Sequence, residues 1–331
     1  MKKRPFCIAE IGGNHEGSFD KACELVALAL ETPVDCIKFQ TYFADSLVAK
    51  KWDPDRWNHF KRFELTIDQH IELAKMVTAG GKSYLTSIWD QAAYKALQPY
   101  LDFVKIGSGD LNCYSFLKTA AETELPIILS TGLSTYDEVR RSVELIRSFN
   151  PLYQRPEKIT LLQCSSVYPL TDEEANLAVM ETLAACGTKI GYSDHTIGSD
   201  ALKMAAIMGA EMLEFHFSDD SQNAGFRDHL VSLEQDSVTQ LYAFFDRCIA
   251  FYGSPVKKPT PNETDTGHLS SFRRGTYTTS KIIKGTVITE QHLIQKRPCN
   301  AGLDYENLLG RTLNSDIDEG DPIREGDLIT V

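Results

Sequence analysis

Eight short apolar runs recur along the chain, all but the sixth followed by a helix-like pattern, and few architectures accept that count in that order. The runs fall at 6–12, 36–42, 83–88, 103–109, 126–132, 159–165, 189–195 and 212–217. Helical periodicity occupies 18–32, 66–78, 90–97, 116–122, 135–148 and 200–209, and a last helical pattern at 233–252 closes the series. Ser18 and Thr66 stand where N-caps belong. Eight β–α repeats over roughly 250 residues are the count and length of a closed (β/α)8 TIM barrel. An open doubly wound sheet would carry fewer strands and a Gly-x-Gly-x-x-Gly turn after the first, a spacing that Gly12-Gly13-Asn14 lacks. The expected organisation is an α/β barrel over 1–252.

Residues 253–267 hold three prolines among Thr, Asn and Asp, and read as a linker. The remainder, 268–331, repeats itself. Ile282-Ile-Lys-Gly-x-x-Ile288 with Leu293-Ile294 recurs as Ile317-Asp-Glu-Gly-x-x-Ile323 with Leu328-Ile329, 35 residues on. Each copy reads as a strand, a Gly turn, an apolar residue and a short helical turn. Neither buries its apolar face alone, so the two should pack as a small pseudo-symmetric β-rich module that leans on another surface.

A net charge of −12 argues against nucleic acid or an anionic membrane as a main partner. The Met1-Lys-Lys-Arg start looks like a signal peptide, but Glu10 interrupts the apolar run behind it. No run reaches membrane-spanning length. Eight scattered cysteines without Cys-x-x-Cys spacing fit reduced thiols in a cytoplasmic protein.

In a barrel, chemistry sits at the C-terminal strand ends, and here those ends are polar. They offer Glu10, Lys38 with Gln40, Ser87, Lys105 with Ser108 and Asp110, Ser130, Gln163 with Ser165 and Ser166, Ser193 with His195, and Glu214 with His216. Strand alternation puts Lys38 and Gln40 on one face, as it does Ser193 with His195 and Glu214 with His216. A single strand-end serine is unremarkable. A lysine inside a barrel must pair or bind an anion, so Lys38, Lys105 and the hydroxyls form a candidate phosphate or carboxylate cradle. His195 and His216 end neighbouring strands and can converge on one divalent ion.

These stretches resemble the N-acetylneuraminate (sialic acid) synthase family, which includes the legionaminic and pseudaminic acid synthases. The resemblance rests on Ala9-Glu-Ile-Gly-Gly-Asn-His-Glu-Gly17, Lys38-Phe-Gln-Thr41, Lys105-Ile-Gly-Ser-Gly109, Ile128-Leu-Ser-Thr-Gly132, Gln163-Cys-Ser-Ser-Val-Tyr-Pro169, Gly191-Tyr-Ser-Asp-His-Thr196, Glu214-Phe-His-Phe217 and Lys296-Arg-Pro298. It implies a condensation of phosphoenolpyruvate with an N-acylated hexosamine, N-acetylmannosamine first, dependent on a divalent metal and specifically Mn²⁺. It places Lys38, Ser87, Lys105, Ser108, Ser130, Ser166 and Ser193 around phosphoenolpyruvate. Glu10, Gln40, Asp110, Tyr168 and Asp228 fall on the sugar and water side. The repeat module resembles an antifreeze-like (SAF) domain, and Arg297 would reach the N-acyl group from the partner subunit of a domain-swapped homodimer.

The chain departs from the family pattern at Asp110 (commonly Glu), Gln163 (commonly His), Ser166 (commonly Asn) and Phe215 (commonly Lys or Arg). Alternation points Phe215 at the outer helices. The sugar, and whether it carries a 6-phosphate, stays open. Two other readings stand beside this one: another metal-dependent 3-deoxy-sugar-acid synthase or a Schiff-base aldolase using Lys38 or Lys105, and a carbohydrate-binding protein with an inactive barrel.

Overall fold

A computed structural model describes residues 1–223, 225–299 and 301–329. The chain forms two compact units, Met1–Gly253 and Ser254–Val331.

In the first, eight parallel strands pair in sequence order: β1 Phe6–Glu10, β2 Cys36–Thr41, β3 Ser83–Ile88, β4 Val104–Ile106, β5 Ile127–Ser130, β6 Ile159–Gln163, β7 Lys189–Asp194 and β8 Met212–Phe217. β1 also pairs with β8, Glu10 opposite His216, and this closes the barrel. Helices cover the outside. Ser18 caps the first of them, and Thr66 and Gln69 cap Ile67–Ala79 reciprocally.

Each strand has two destinations, because alternate residues face opposite ways. Outward residues such as Ile37, Phe39, Leu161 and Phe215 join the large core beneath the helices. Inward residues stack in levels along the barrel axis. The lowest is an apolar floor of Ile8, Cys36, Leu85, Ile128, Leu162 and Met212, with Phe6 and Phe103 against it. Packing there is tight: a Cβ on Gly191 would lie 2.3 Å from the Met212 carbonyl oxygen and 2.6 Å from a Leu162 methyl. Truncating a floor residue such as Leu162 to Ala should cost about 2–5 kcal/mol. Above the floor the inward positions turn polar.

Three local expectations shift. The run at 103–109 narrows to Val104–Ile106 because Gly107 leads into a 3-10 turn, Ser108–Asp110. The helix expected from 233 begins at Gln235, since Ser232–Leu233 forms a ninth strand, β9, beside β8. Within 253–267 a short helix forms at Pro261–Asp265, where Thr260 and Glu263 cap each other. No described helix is long and apolar enough to cross a membrane.

The second unit pairs β10 Gly275–Thr278 antiparallel with β11 Leu293–Lys296. Its core is the repeat itself: Ile282, Ile288 and Leu293 pack with their counterparts Ile317, Ile323 and Leu328 around Leu308 and Leu313. Ile282 and Ile317 exchange both backbone hydrogen bonds, at 2.8 and 2.9 Å. A one-residue bridge thus stands where each copy was expected to carry a strand. The matching glycines, Gly285 and Gly320, sit at φ 84° and 82°, a left-handed turn that a side chain would strain.

Candidate active site

The C-terminal mouth of the barrel opens into a cavity of about 1260 Å³. All fourteen barrel residues singled out above as catalytic, substrate-binding or metal ligands line it, from Glu10 on β1 to Asp228 beyond β8. Arg297 belongs to the second unit, where it is exposed, its guanidinium 5.9 Å from the Phe272 ring centre.

A charged level rests directly on the apolar floor. Lys38 pairs with Glu10 and lies 3.8 Å from Glu214. Lys105 contacts both Glu214 oxygens, at 2.9 and 3.0 Å. Ser193 donates to Glu214 at 3.2 Å, and Gln40 donates to Glu10 at 2.9 Å. Two lysines and two carboxylates leave this buried cluster without net charge, which is the condition for burying ions at tolerable cost. Burial alone would raise the Glu214 carboxyl, but Lys105 and Lys38 hold it down to about 2. Burial raises Glu10 and lowers Lys105.

Beside this cluster stand the two histidines, ring centres 5.5 Å apart. His195 Nδ1 faces the Ser165 carbonyl at 2.6 Å. A carbonyl only accepts, so Nδ1 carries the proton and Nε2 keeps its lone pair. His216 Nδ1 is buried with no hydrogen-bond partner among the described residues, 3.9 Å from Asp228 Oδ2. Burial pushes both imidazoles down to about 3, so they are neutral at ordinary pH. Two neutral nitrogen donors, one orphaned and one oriented by a backbone carbonyl, with a buried carboxylate beside them, fit a divalent cation. Among the described residues no ready-made cluster of three His, Cys, Asp or Glu exists, so remaining coordination would come from water or substrate. Tyr168 lies over the pair, its ring centre 4.0 Å from that of His195.

The hydroxyls gather around Gly132. Its N–H donates to Ser108 Oγ at 3.1 Å. A Cβ there would come within 2.5 Å of Ser166 Oγ and 2.9 Å of Ser108 Oγ. Glycine therefore keeps open a small cradle walled by hydroxyls, next to the buried Ser130 Oγ, which has no hydrogen-bond partner among the described residues. Asp110, in the turn after β4, is pushed up to about 6 by burial.

Two strand-end residues fall outside the cavity. Gln163 shares the outward parity of Leu161, and its amide donates to the Ala175 carbonyl at 3.2 Å. Its departure from the family pattern therefore lies in the packing behind the site. Ser165 Oγ donates to the Glu174 carbonyl. Phe215, 1% exposed, packs under the helices, so that departure also lies outside the cavity. Sequence reasoning left Glu214 without a role, although it shares the inward face of His216. It missed Arg227, whose guanidinium stacks 4.7 Å from the Tyr168 ring centre. It also missed an aromatic corner made by Tyr42, Phe60 and Trp89.

A closed parallel barrel with paired acids, lysines and histidines at its C-terminal mouth is built as an enzyme is. The chain belongs to the NeuB family, whose sequence model matches residues 25–257. It is 32% identical to the N,N'-diacetyllegionaminic acid synthase of Legionella pneumophila, over 95% of this chain and 92% of that protein. With the N-acetylneuraminate-9-phosphate synthase of Homo sapiens it shares 29% identity, over 97% of this chain and 91% of the other. Among solved structures it resembles the N-acetylneuraminic acid synthetase of Leptospira borgpetersenii at a TM-score of 0.71 and 25% identity, covering 81% of this chain and 91% of that one.

Proposed function

We propose that this chain is a nonulosonic acid synthase, joining phosphoenolpyruvate to the open-chain aldehyde of an N-acylated hexosamine. The observation that carries the reading is the convergence in one cavity of a lysine–carboxylate cluster, a hydroxyl cradle and a neutral histidine pair. Lys38 and Lys105, with Ser87, Ser108, Ser130, Ser166 and Ser193, take the carboxylate and phosphate of phosphoenolpyruvate. Their charges are already countered by Glu10 and Glu214, so the arriving anion competes with those carboxylates for the ammonium groups.

In the reaction a bond forms between C3 of phosphoenolpyruvate and the sugar aldehyde carbon. Water adds at C2, and phosphate leaves from C2. Glu10, raised by burial and oriented by Gln40, is suited to take the proton from that water. Asp110, Tyr168 and Asp228 face the sugar. His195 and His216 would hold a divalent cation, Mn²⁺ in this reading, which when bound supplies Lewis-acid polarisation of the aldehyde.

The second unit reads as an antifreeze-like module over 268–331, joined through 253–267 to a barrel ending at 252. In a domain-swapped homodimer, exposed Arg297 of one copy would donate to the N-acyl carbonyl in the other. The deciding experiment measures phosphate released from phosphoenolpyruvate against a panel of N-acylated hexosamines, with and without Mn²⁺. Metal- and sugar-dependent release is expected. Pyruvate trapped on Lys105 or Lys38 by borohydride would replace this reading with a Schiff-base aldolase.

A further inference from the structure

Of the stretch 9–17, only Glu10 has a part in the chemistry proposed above. Asn14 and Glu16 have none, yet both reach across to the segment that follows β8. Asn14 is 1% exposed, and its amide donates twice, to the Phe217 carbonyl and to Ser232 Oγ, each at 2.9 Å. Ser232 Oγ in turn donates to the Asp228 carbonyl at 2.7 Å. Ser232 is also the residue opposite His216 where β8 pairs with β9. One buried amide thus ties the end of β8, directly after His216, to β9 and to the backbone of Asp228.

Glu16 takes hold of the next residue along. Its Oε1 lies 3.3 Å from His229 Nε2. A carboxylate only accepts, so Nε2 carries a proton. His229 Nδ1 meets Ser218 Oγ at 2.7 Å, and that hydroxyl also accepts the Asp220 N–H at 3.1 Å. Both His229 and Ser218 are buried. The loop that carries Glu16 is itself constrained. Glu16 sits at φ 50°, a left-handed conformation uncommon for a residue with a side chain. Beside it, a Cβ on Gly17 would lie 2.2 Å from the Arg62 carbonyl oxygen. Strained backbone of this kind persists where its surroundings over-determine it, and it gathers at functional sites.

Asp228 is held between these two clamps. Its carboxylate is buried in the cavity wall, 3.9 Å from His216 Nδ1, and Oδ1 has no hydrogen-bond partner among the described residues. Its placement therefore falls to the backbone that carries it, and that backbone is fixed at its own carbonyl and at the residue after it.

We infer that Asn14 and Glu16 are positioning residues: through Ser232 and His229 they hold the Asp228 carboxylate beside the histidine pair, where its charge strengthens the cation site. Groups behind a ligating shell tune metal affinity by about 10- to 100-fold. The inference rests on the cation reading of His195 and His216 and deepens it.

The test titrates Mn²⁺ calorimetrically into the full chain and its variants, with thermal unfolding recorded for each. Glu16→Ala should weaken Mn²⁺ binding by about 10-fold or more. Glu16→Gln, which still accepts the His229 N–H, should stay near the parent. Asn14→Ala should weaken binding likewise; should that deeply buried variant fold poorly, the half-buried Glu16 carries the test. A double-mutant cycle separates positioning from general damage. In an Asp228→Ala background, Glu16→Ala should cost no further affinity, because the group it positions is gone. The phosphoenolpyruvate KM of Glu16→Ala at saturating Mn²⁺ should be unchanged, and a rise there would count as general damage and against the inference. Parent-like Mn²⁺ affinity in both Glu16→Ala and Asn14→Ala, or an equal loss with and without Asp228, overturns the inference and leaves the synthase reading intact. A parent chain that binds no Mn²⁺ overturns the cation reading with it.

Discussion

Lys105 places its ammonium between the two carboxylate oxygens of Glu214, 2.9 Å from one and 3.0 Å from the other. The two residues are 109 positions apart and lie on β4 and β8, which do not pair; only the curvature of the closed sheet joins them. A lysine held this way is fixed at the bottom of the mouth, where an arriving anion competes with Glu214 for its ammonium. Removing it should cost one charge-assisted contact in a desolvated site, about 1.5–3 kcal/mol, or roughly 10- to 150-fold in affinity. Lys105→Ala is therefore expected to raise the phosphoenolpyruvate KM far more than the sugar KM. An unchanged phosphoenolpyruvate dependence would make this lysine purely structural.

Gly132 gives a separate handle on the same anion. The Cβ of Gly132→Ala would occupy the space between Ser108 and Ser166, at 2.9 and 2.5 Å from their hydroxyl oxygens. The expected result is a phosphoenolpyruvate KM raised by about 10-fold or more, from one or two lost hydrogen bonds to a charged group, with little change in thermal unfolding. Saturation curves at fixed sugar decide it. A normal KM in the folded variant would place the phosphate elsewhere.

His216→Ala should abolish metal-dependent turnover while leaving the barrel folded. Because His216 Nδ1 has no hydrogen-bond partner among the described residues, its loss strands no hydrogen bond there. Calorimetric titration with Mn²⁺ reads the site without reference to catalysis: heat of binding should vanish in the variant and persist in the parent chain. Equal binding in both would remove the histidine pair from the metal site.

Acid stability should follow the buried histidines. Burial pushes His70 down to about 3 and His15 to about 4. An unfolded imidazole takes its proton at about pH 6.5, so below that the unfolded chain binds more protons than the folded one. Their contribution is complete above about pH 6.5 and is lost as pH falls toward these lower values, by up to about 1.4 kcal/mol per pH unit for each group. His70→Gln, which can still bond the Tyr84 hydroxyl that His70 meets at 3.1 Å, should lose about 1 kcal/mol less than the parent between about pH 7.5 and about pH 5.5 in urea titrations. Identical losses would show that His70 is not the titrating group.

Subunit mixing tests the swapped dimer. Arg297→Ala and His216→Ala put their defects in different units of the chain. In a swapped heterodimer one site collects both defects and the other neither, so co-expression should restore activity toward half that of the parent. Without a swap every site keeps one defect. Verified heterodimers with no recovery would end the idea.

Much of the site was legible because a strand has a period of two. Once Lys38 faces inward, so does Gln40, and Glu214 must share the face of His216. The same rule, applied to Leu161, turns Gln163 outward; grouping it by its place at a strand end obscured that. The partnership of Glu214 with both lysines was not legible, since it depends on how sharply the sheet closes between strands that never pair. The aromatic corner was hidden for a related reason. Phe60 belongs to the helix Pro54–Phe63 inserted between β2 and β3, and nothing local in that stretch says that it swings over the mouth to meet Tyr42 and Trp89. In the tail, the 35-residue offset fixed the pairing partners, and the packing of Ile282 with Ile317 follows it position for position.

The apolar floor sets an order of events. Ile8, Leu85, Ile128 and Leu162 close the barrel beneath the charged level, so the lysines are approached from the rim. Whatever settles on Lys38 and Lys105 is roofed over by whatever arrives next. For the proposed reaction, phosphoenolpyruvate must enter before the sugar, and a sugar bound first would bar its path. Departure reverses the sequence, the sugar acid leaving the rim before phosphate can rise from the bottom. Such a barrel works as a stack, last in and first out, and its steady-state kinetics should be ordered.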